Sequence, residues 1–441
     1  MKTYALLTIA FLLSFTTCIK EQDQINVILI FADDMGYGDL ACYGNPVIQT
    51  PNLDQMAVDG VKYSQFYVTS PVCSPSRSSL LSGSYPKRLD LHKHVIFPPY
   101  KYGINPDEKL LPELFKEAGY NTACYGKWHL GHQIPFLPLQ NGFDEYYGLP
   151  FSNDMSKKEQ NIRGNMKYQY YLPLMEGNDT IELDPDQRYF TKNLTERCIS
   201  FIEQHRDEPF FIYLAHPMPH IPIYASDSFA GQSRRGLYGD VIEEIDWSTG
   251  QIMKTLKENN ILDNSFVFFS SDNGPWLPFK THGGSAGPLR GGKGSTWEGG
   301  MREPCIIHWP GSAKPESGVN QTVWSSLDIL PTLVDLCGLN SPNLEIDGQS
   351  RLSEFITGEA PESTPFFYYS SRGIIEGIRV DEWKYRHLAD TSFLFNLEED
   401  ISEQYNLIRQ YPDLADSLHQ LLVEFDLKMT LEMRQHGTLN Q

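Results

Sequence analysis

The sequence has few basic residues, few cysteines and little apolar sequence that could span a membrane. Lysine and arginine number 36 against 56 aspartates and glutamates, which gives a net charge of −20 over 441 residues. Nucleic acid and anionic lipid are polyanions, so their binding through the overall field of this chain is excluded. The seven cysteines are sparse and irregularly spaced. They predict neither a disulfide framework nor a zinc cluster.

The N-terminus carries a short apolar run, Tyr4 to Phe15, after the positive charge of Lys2. A membrane span needs about 20 residues, so we interpret residues 1–18 as a signal peptide and expect an exported protein. Either Cys18 is a lipidation site, or an ordinary signal-peptide cleavage site lies near it. In a bacterium, a lipid at Cys18 would make this a periplasmic or cell-surface lipoprotein, attached to the membrane through that anchor alone.

The length predicts one large core and a smaller second domain, because single cores stop growing near about 250–300 residues. Short apolar runs alternate with segments of helical periodicity. This pattern predicts an α/β class with a large mixed, mostly parallel sheet sandwiched by helices. Four short aromatic and β-branched runs between residues 364 and 397 predict a small antiparallel sheet, with a packed helix over 413–429. The predicted domains are residues 24–345 and a C-terminal α+β subdomain, residues 346–441.

Oxygen-bearing side chains follow two predicted buried strands. Asp33 and Asp34 come after the apolar run 25–31, and Asp272 and Asn273 come after the run 265–269. Ligands of open α/β sheets bind at the carboxyl ends of the strands, and clustered oxygens suit Ca²⁺ or Mg²⁺. The alternative interpretation of adjacent acids is a solvated loop.

Further strand ends and loops carry cations and imidazoles. Lys127 and His129 lie in Gly-Lys-Trp-His-x-Gly, and His220 lies in Pro-His-x-Pro. The glycine-rich loop 282–302 carries Lys293, and glycine lets a backbone wrap closely round an anion, although a flexible linker is the alternative. Ser152 lies in a predicted turn-rich loop, residues 142–154, before an irregular stretch over residues 155–186.

The segment 71–83 contains Cys-x-Pro-x-Arg, with Cys73 and Arg77, and is typical of a loop entering a helix. Alone, it would be read as a buried thiol beside a helix start. In this context, the motifs over about residues 25–430 resemble the type I, formylglycine-dependent sulfatases of the alkaline phosphatase superfamily. The resembling branch is that of the arylsulfatases and N-acetylgalactosamine-6-sulfatases.

The resemblance implies an alkaline-phosphatase-like fold and a set of site residues. Cys73 would be converted to formylglycine (3-oxoalanine) by a formylglycine-generating enzyme, with Arg77 as its stabiliser. One Ca²⁺ would be held by the following residues: Asp33, Asp34, Asp272, Asn273 and the modified Cys73. Sulfate would be bound by Ser152, Lys127, Lys293 and His220.

The resemblance also implies a mechanism. A hydroxyl of the hydrated aldehyde attacks sulfur, and His220 protonates the leaving alcohol. His129 then takes the proton of the remaining hydroxyl, so that a sulfated hemiacetal collapses and releases sulfate. Lys127, Lys293 and Arg77 neutralise the charge of the transition state.

The expected activity is therefore that of a sulfuric ester hydrolase, exo-acting on a sulfated saccharide from a glycosaminoglycan or algal-type polysaccharide, with aryl sulfates as weak surrogates. The candidate subsite residues are His92, His94, Tyr100, Tyr102, Trp276, His282 and Arg290. Two alternatives stay open. One is a phosphodiester or phosphonate monoester hydrolase of the same superfamily, which would favour transition metals over calcium. The other is a non-catalytic, sulfated-glycan-binding lipoprotein.

Overall fold

The computed structural model describes residues 24–159, 169–311, 318–359 and 362–439. The predicted signal peptide and the lipidation site at Cys18 lie outside these residues and stay predictions. Within the described part of the chain, no helix is both long and apolar enough to cross a bilayer.

The described strands form one large sheet and two small ones. In chain order they are β1 (Asn26–Ala32), β2 (Val61–Tyr67), β3 (Tyr102–Gly103), β4 (Asn121–Lys127), β5 (Glu145–Leu149), β6 (Pro173–Glu176), β7 (Asp179–Leu183), β8 (Phe210–Ala215), β9 (Ser265–Ser271), β10 (Arg302–His308), β11 (Val319–Asn320), β12 (Trp324–Ser325), β13 (Phe366–Tyr369), β14 (Ile375–Val380), β15 (Trp383–Leu388), β16 (Thr391–Asn396) and β17 (Gly437–Thr438). β17 pairs with β3.

The α-helices cover the sheets. They are α1 (Pro51–Asp59), α2 (Cys73–Ser82), α3 (Leu111–Glu117), α4 (Phe190–Gln204), α5 (Leu237–Glu258), α6 (Glu298–Met301), α7 (Ile329–Cys337), α8 (Leu352–Thr357) and α9 (Pro412–Leu431). Short 3-10 helices connect several of these elements.

The large sheet has the order β11-β2-β10-β9-β1-β8-β4-β5-β6-β7, with β12 also paired to β2. Its centre, β9-β1-β8-β4-β5, is parallel, whereas β10 runs antiparallel to both β9 and β2. This confirms the predicted α/β class with a mixed, mostly parallel sheet. The carboxyl ends of the central strands therefore meet along one edge.

Alternate residues of β1 enter two apolar cores, because successive side chains of a strand point to opposite faces. Val27, Leu29 and Phe31 pack with α2, α3 and α7, whereas Ile28 and Ile30 pack with α1, α4 and α5. Burial of one such side chain is worth about 1.5–3 kcal/mol. The two cores hold the central strands in place, so the loops at their carboxyl ends rest on a rigid base.

The C-terminal part forms the predicted antiparallel sheet, in the order β13-β14-β15-β16, with α9 packed on β14. Leu418 and Leu422 of α9 share a core with Ile378 and with Tyr85 from the N-terminal half of the chain. The division at residue 345 stays a prediction.

Two loop predictions were wrong. The stretch predicted as turn-rich contains β5, which pairs in register with β4, and the stretch predicted as irregular contains the hairpin β6–β7. The polar and glycine residues of both segments are not typical of strands. The strands form because a neighbouring strand provides backbone hydrogen-bond partners. β10 was not predicted at all, since Arg302, Glu303 and Pro304 are unusual in a buried strand.

Candidate active site

The predicted metal ligands meet at the carboxyl ends of β1 and β9. The backbone N–H of Asp34 donates to Asp272 Oδ1 at 3.2 Å, and Asn273 Nδ2 donates to Asp34 Oδ1 at 2.8 Å. Asp33, Asp34, Asp272 and Asn273 are all buried. Asp34 has a φ of 66°, a left-handed conformation that the surrounding hydrogen bonds maintain at this turn.

Cys73 is the first residue of helix α2, where the backbone N–H groups have no partner inside the helix. The helix is held in place from both sides. Ser74 Oγ accepts a hydrogen bond from the N–H of Ile96 at 3.0 Å, and Thr69 Oγ1 donates to Ser79 Oγ at 2.6 Å. The Cys73 side chain is thereby fixed at the sheet edge that holds the carboxylates.

Arg77 lies one turn further along α2 and is completely buried. Its Nε and Nη2 both contact Asp272 Oδ2, at 2.9 and 2.8 Å, and Nη1 donates to the carbonyl of Lys127 at 2.9 Å. Nη2 also lies 3.6 Å from Asp33 Oδ1. Arg77 thus ties α2, β4 and β9 together and places a fixed positive charge behind the carboxylates.

Two lysines complete the charge pattern. Lys127 Nζ lies 2.5 Å from Asp33 Oδ2 and 3.3 Å from Ser152 Oγ. Lys293 Nζ lies 2.5 Å from Asp34 Oδ1 and 3.6 Å from the Cys73 thiol. Two ammonium groups therefore face the position where an anion attached to residue 73 would sit.

The hydrogen bonds of the two histidines fix their tautomers, because a carbonyl only accepts. His129 Nε2 donates to the carbonyl of Ile96 at 3.1 Å, so its lone pair is on Nδ1, which has no hydrogen-bond partner among the described residues. His220 Nδ1 donates to the carbonyl of Ile221 at 2.6 Å, and its Nε2 lies 3.6 Å from Asp34 Oδ2. The two rings present different nitrogens to the site.

Burial and neighbouring charges set the pKa values of the site. Burial raises the pKa of the Cys73 thiol to about 12 and that of Asp272, next to Asp33, to about 7. Burial also raises the pKa of Asp33, but Lys127, His220 and Arg77 outweigh it and hold that pKa well below its usual range. An unmodified Cys73 is therefore a neutral thiol at pH 7, which is a poor nucleophile.

A metal ion fits the orphaned oxygens of this edge. Asp33 Oδ1, Asp34 Oδ2 and Asn273 Oδ1 are buried and accept no hydrogen bond within the described residues. Asp33, Asp34, Cys73 and His220 each offer a ligand atom, and these atoms lie within 4.8 Å of one another. Both Asp272 oxygens already accept hydrogen bonds, so Asp272 would use its remaining lone pairs.

A cavity of about 180 Å³ opens beside these residues. Its walls combine the polar residues Cys73, His129, Ser152, His220 and Lys293 with the less polar Val72, Val95, Met155, Trp276 and Gly294. The Trp276 ring lies 4.6 Å from Lys293 Nζ and 5.4 Å from the His220 ring. Trp276 is the member of the predicted subsite set that lines this cavity.

Other predicted subsite residues have different neighbours. Arg290 lies over the Trp297 ring and donates to the carbonyl of Glu403. Tyr102 stacks between Tyr100 and His436, and His92 is buried. These contacts give the residues packing neighbours, and their role in subsites stays a prediction.

Sequence reasoning missed three residues at the site. Val95 and Met155 form apolar walls, and Asn153 Nδ2 donates to the carbonyls of His220 and Pro222 at 3.5 and 3.1 Å. Asn153 follows Ser152, so its position in that motif was the available signal. Val95 and Met155 lie outside the recognised motifs and had no such signal.

The buried His129 predicts a specific pH dependence of stability. Burial first, and then Lys127 and Arg77, lower its pKa well below the usual value of 6.5. The unfolded chain then binds a proton that the folded protein does not, so the stabilisation from neutral His129 is present above pH 6.5 and lost below it. Relative to His129→Gln, the unfolding free energy of the wild type should fall between pH 7.5 and 5.0, by at most about 2 kcal/mol, the limit that a pKa of 6.5 in the unfolded chain sets.

Urea unfolding of both proteins at the two pH values, with calcium present, measures this difference. His216, whose pKa is lowered by burial to about 3, titrates in both proteins, so the comparison isolates His129. Parallel pH profiles of the two proteins would show that His129 is not held neutral.

Comparison with known proteins agrees with this geometry. The Sulfatase family matches residues 25–339, and the C-terminal family of N-sulphoglucosamine sulphohydrolase matches residues 292–428. Arylsulfatase A of Bos taurus is 37% identical over 92% of this chain and 89% of its own length. N-acetylgalactosamine-6-sulfatase of Homo sapiens is 41% identical over 78% of this chain and 68% of its own.

A solved structure is similar over almost the whole chain. The crystal structure of Ps i-CgsB in complex with k-i-k-neocarrahexaose aligns with a TM-score of 0.83 and 31% identity, and the alignment covers 95% of each chain. The family and the named relatives thus agree on hydrolysis of sulfate esters. The chain belongs to the sulfatase family and is a sulfuric ester hydrolase.

Proposed function

We propose that this sulfatase removes sulfate from the ends of a sulfated saccharide, with a formylglycine made from Cys73 and one calcium ion. The observation that carries the proposal is the convergence of the Lys293 ammonium and the Asp34 carboxylate on the first residue of α2. Lys293 Nζ lies 3.6 Å from the Cys73 sulfur and 2.5 Å from Asp34. A sulfate group attached at residue 73 would therefore lie beside the Lys293 ammonium and beside the ion that Asp34 would hold.

The environment of Cys73 supports its modification. With the thiol pKa raised to about 12, the unmodified residue offers almost no thiolate at neutral pH. A hydrated formylglycine would supply a hydroxyl for attack on sulfur and a second hydroxyl for the release of sulfate. A formylglycine-generating enzyme is the maturation partner that this proposal requires.

The oxygen donors support calcium. Asp33, Asp34, Asp272 and Asn273 would hold it together with the modified residue 73, and hard oxygen ligands favour Ca²⁺ over the transition metals of the phosphonate hydrolase alternative. Bound there, the ion would withdraw charge from a sulfate oxygen. Lys127 and Lys293 add two positive charges on the same group, which stabilise the charge that builds in the transition state.

The two histidine tautomers support separate proton transfers. His220 presents Nε2 to the site, next to Asp34, and a proton carried there would pass to the leaving oxygen. His129 presents an unprotonated Nδ1, and its low pKa keeps it able to accept a proton. Acid and base are therefore two different residues in fixed orientations.

The shape of the cavity supports action on chain ends. At about 180 Å³ it is smaller than ordinary ligand pockets, which measure about 300–1,000 Å³. The net charge of −20 offers no overall attraction for a polyanion, so binding depends on the local cations. Trp276, Met155 and Val95 provide apolar surface for the face of a sugar ring or for the ring of an aryl sulfate.

Initial rates on a sulfated polysaccharide test the exo mode. Partial digestion raises the number of chain ends at constant total sulfate, and the rate of sulfate release should rise in proportion. Short defined oligosaccharides should lose terminal sulfate first. A rate that does not depend on the number of ends, with internal desulfation of long polymer, would overturn the exo mode while leaving the sulfatase activity intact.

A further inference from the structure

The loop that carries Lys293 is a closed structure with two stems. We call residues 290–299 the Lys293 loop. The N–H of Gly299 donates to the carbonyl of Arg290 at 2.8 Å and closes it at the base. At its tip, the N–H of Gly294 donates to the carbonyl of Pro71 at 2.9 Å, two residues before Cys73. The position of the Lys293 ammonium therefore depends on what holds the stems.

A buried ion-pair cluster, formed with Lys384 of β15 and with Glu403 after β16, holds one stem. Lys384 Nζ contacts Glu298 Oε1 and Glu403 Oε1, each at 2.8 Å, and donates to the carbonyl of Thr296 at 3.0 Å. All three charged side chains are completely buried. Glu403 also accepts from the N–H of Glu298 at 2.8 Å, and its carbonyl accepts from Arg290 on the other stem at 2.8 Å.

A second group of contacts involves the same stem. Thr296 Oγ1 accepts from Arg386 Nε at 2.8 Å and donates to Glu376 Oε2 at 2.6 Å. The guanidinium groups of Arg386 and Arg290 lie over the Trp297 ring, at 3.6 and 3.7 Å from its centre. Glu376 of β14 and Arg386 of β15 thus contact the hydroxyl of Thr296, and Arg386 also contacts the indole of Trp297.

These contacts resist movement of the loop. Burial raises the pKa of Glu298, but Lys384, Arg302 and Arg379 lower it further, to about 2, so Glu298 is charged at any working pH. A shift of the loop would separate buried charges from their partners, and an uncompensated buried charge is strongly unfavourable. A displacement of about 1 Å at a catalytic group can cost about 100-fold in rate.

We propose that the C-terminal sheet and the segment that follows it position the sulfate-binding lysine: Lys384, Glu403, Arg386 and Glu376 clamp the stems of the Lys293 loop and so fix the Lys293 ammonium beside residue 73. They are positioning residues, since they act through the loop. The proposal rests on the sulfate-binding role that we propose for Lys293. Through the loop, the C-terminal part of the chain would then affect sulfate binding.

Thr296 offers the mildest test, because valine has nearly the same shape but no hydroxyl. Thr296→Val should lower kcat/KM for an aryl sulfate at least about tenfold and weaken binding of inorganic sulfate in the same proportion. Thr296→Ser keeps the hydroxyl and should restore both values to within about twofold of the wild type. Lys384→Met should show a larger loss of the same kind, of about 100-fold.

A matched control separates positioning from general destabilisation. Lys87 is also a nearly buried lysine paired with a carboxylate of the C-terminal part, at 2.5 Å from Asp426, but its ammonium lies over the Tyr369 ring and not beside the Lys293 loop. Lys87→Met should lower the unfolding temperature and leave the activity of the folded protein within about twofold. An activity loss in Lys87→Met equal to that in Lys384→Met would contradict the proposal.

A double-mutant cycle with Lys293→Ala tests whether Thr296 and Lys384 act through Lys293. If Thr296 and Lys384 act through Lys293, their replacement should cost almost nothing further once Lys293 is gone, so the losses are non-additive. Additive losses would overturn the proposal. The readout is the affinity for inorganic sulfate, measured by calorimetry, which needs no turnover.

The same measurement distinguishes the role of Lys293 from the role of the residues that clamp its loop. If Lys293→Ala does not weaken sulfate binding, the proposed role of Lys293 fails, and the clamp fails with it. If Lys293→Ala weakens binding but Thr296→Val and Lys384→Met do not, only the clamp is wrong.

Discussion

Replacement of Cys73 by alanine is expected to lower kcat for an aryl sulfate by at least about 10³-fold, because the proposed nucleophile is lost. The wild type must be coexpressed with a formylglycine-generating enzyme for the comparison to be valid. KM, which reports the anion site formed by Lys127 and Lys293, should change much less, since those lysines stay in place. Steady-state kinetics on equal amounts of folded protein measure both values.

Cys124 provides the matched control for this replacement. It is a buried thiol on β4 whose pKa is also raised by burial, but it lies outside the cavity. Cys124→Ala should keep kcat within about twofold of the wild type while lowering stability. Comparable turnover by Cys73→Ala and Cys124→Ala would rule out a nucleophile derived from residue 73.

Removal of the proposed calcium ion should lower activity and stability together. Activity should fall by at least about 10²-fold, as expected when a fixed charge at the reacting group is lost. A ligand that binds only the folded state adds about 2.7 kcal/mol at 100 times its dissociation constant, so the unfolding temperature should rise by several degrees when calcium is restored. Chelation followed by calcium titration, with activity and thermal unfolding recorded in parallel, measures both effects.

Two carboxylate variants locate the ion. Asp34→Asn should lose the calcium-dependent rise in unfolding temperature. Asp246→Asn should keep that rise, since Asp246 instead accepts hydrogen bonds from Asn52 and Leu53, between α1 and α5. Full activity after chelation, or activity restored by zinc and not by calcium, would contradict the calcium site.

The part of the site that sequence could predict is the part built from local pattern. Asp33 and Asp272 follow unbroken apolar runs, and such runs predict parallel strands whose carboxyl ends share an edge. The structure brings both residues to that edge, with Arg77 and Lys127 on the same carboxylates. The apolar runs and the residues that follow them therefore indicated this edge of the sheet, and the resemblance to the sulfatases implied the roles of Arg77 and Lys127.

The rest depends on contacts between distant segments. Arg290 was expected in a subsite because it lies in a loop that flanks the catalytic residues. In the structure its guanidinium lies over the Trp297 ring of the same loop and donates to the carbonyl of Glu403, a residue that follows β16 in the chain. Likewise β5 and β10 become strands only because β4 and β9 offer paired edges.

Peptide mass spectrometry of the tryptic fragment 63–77, combined with aryl sulfate turnover on the same samples, decides whether the active form of residue 73 is formylglycine. Preparations with different degrees of maturation should show activity that rises in proportion to the fraction of formylglycine at residue 73. The fraction with an intact Cys73 thiol should contribute almost nothing. Full turnover by a preparation in which the fragment contains only unmodified cysteine would contradict a formylglycine nucleophile at residue 73.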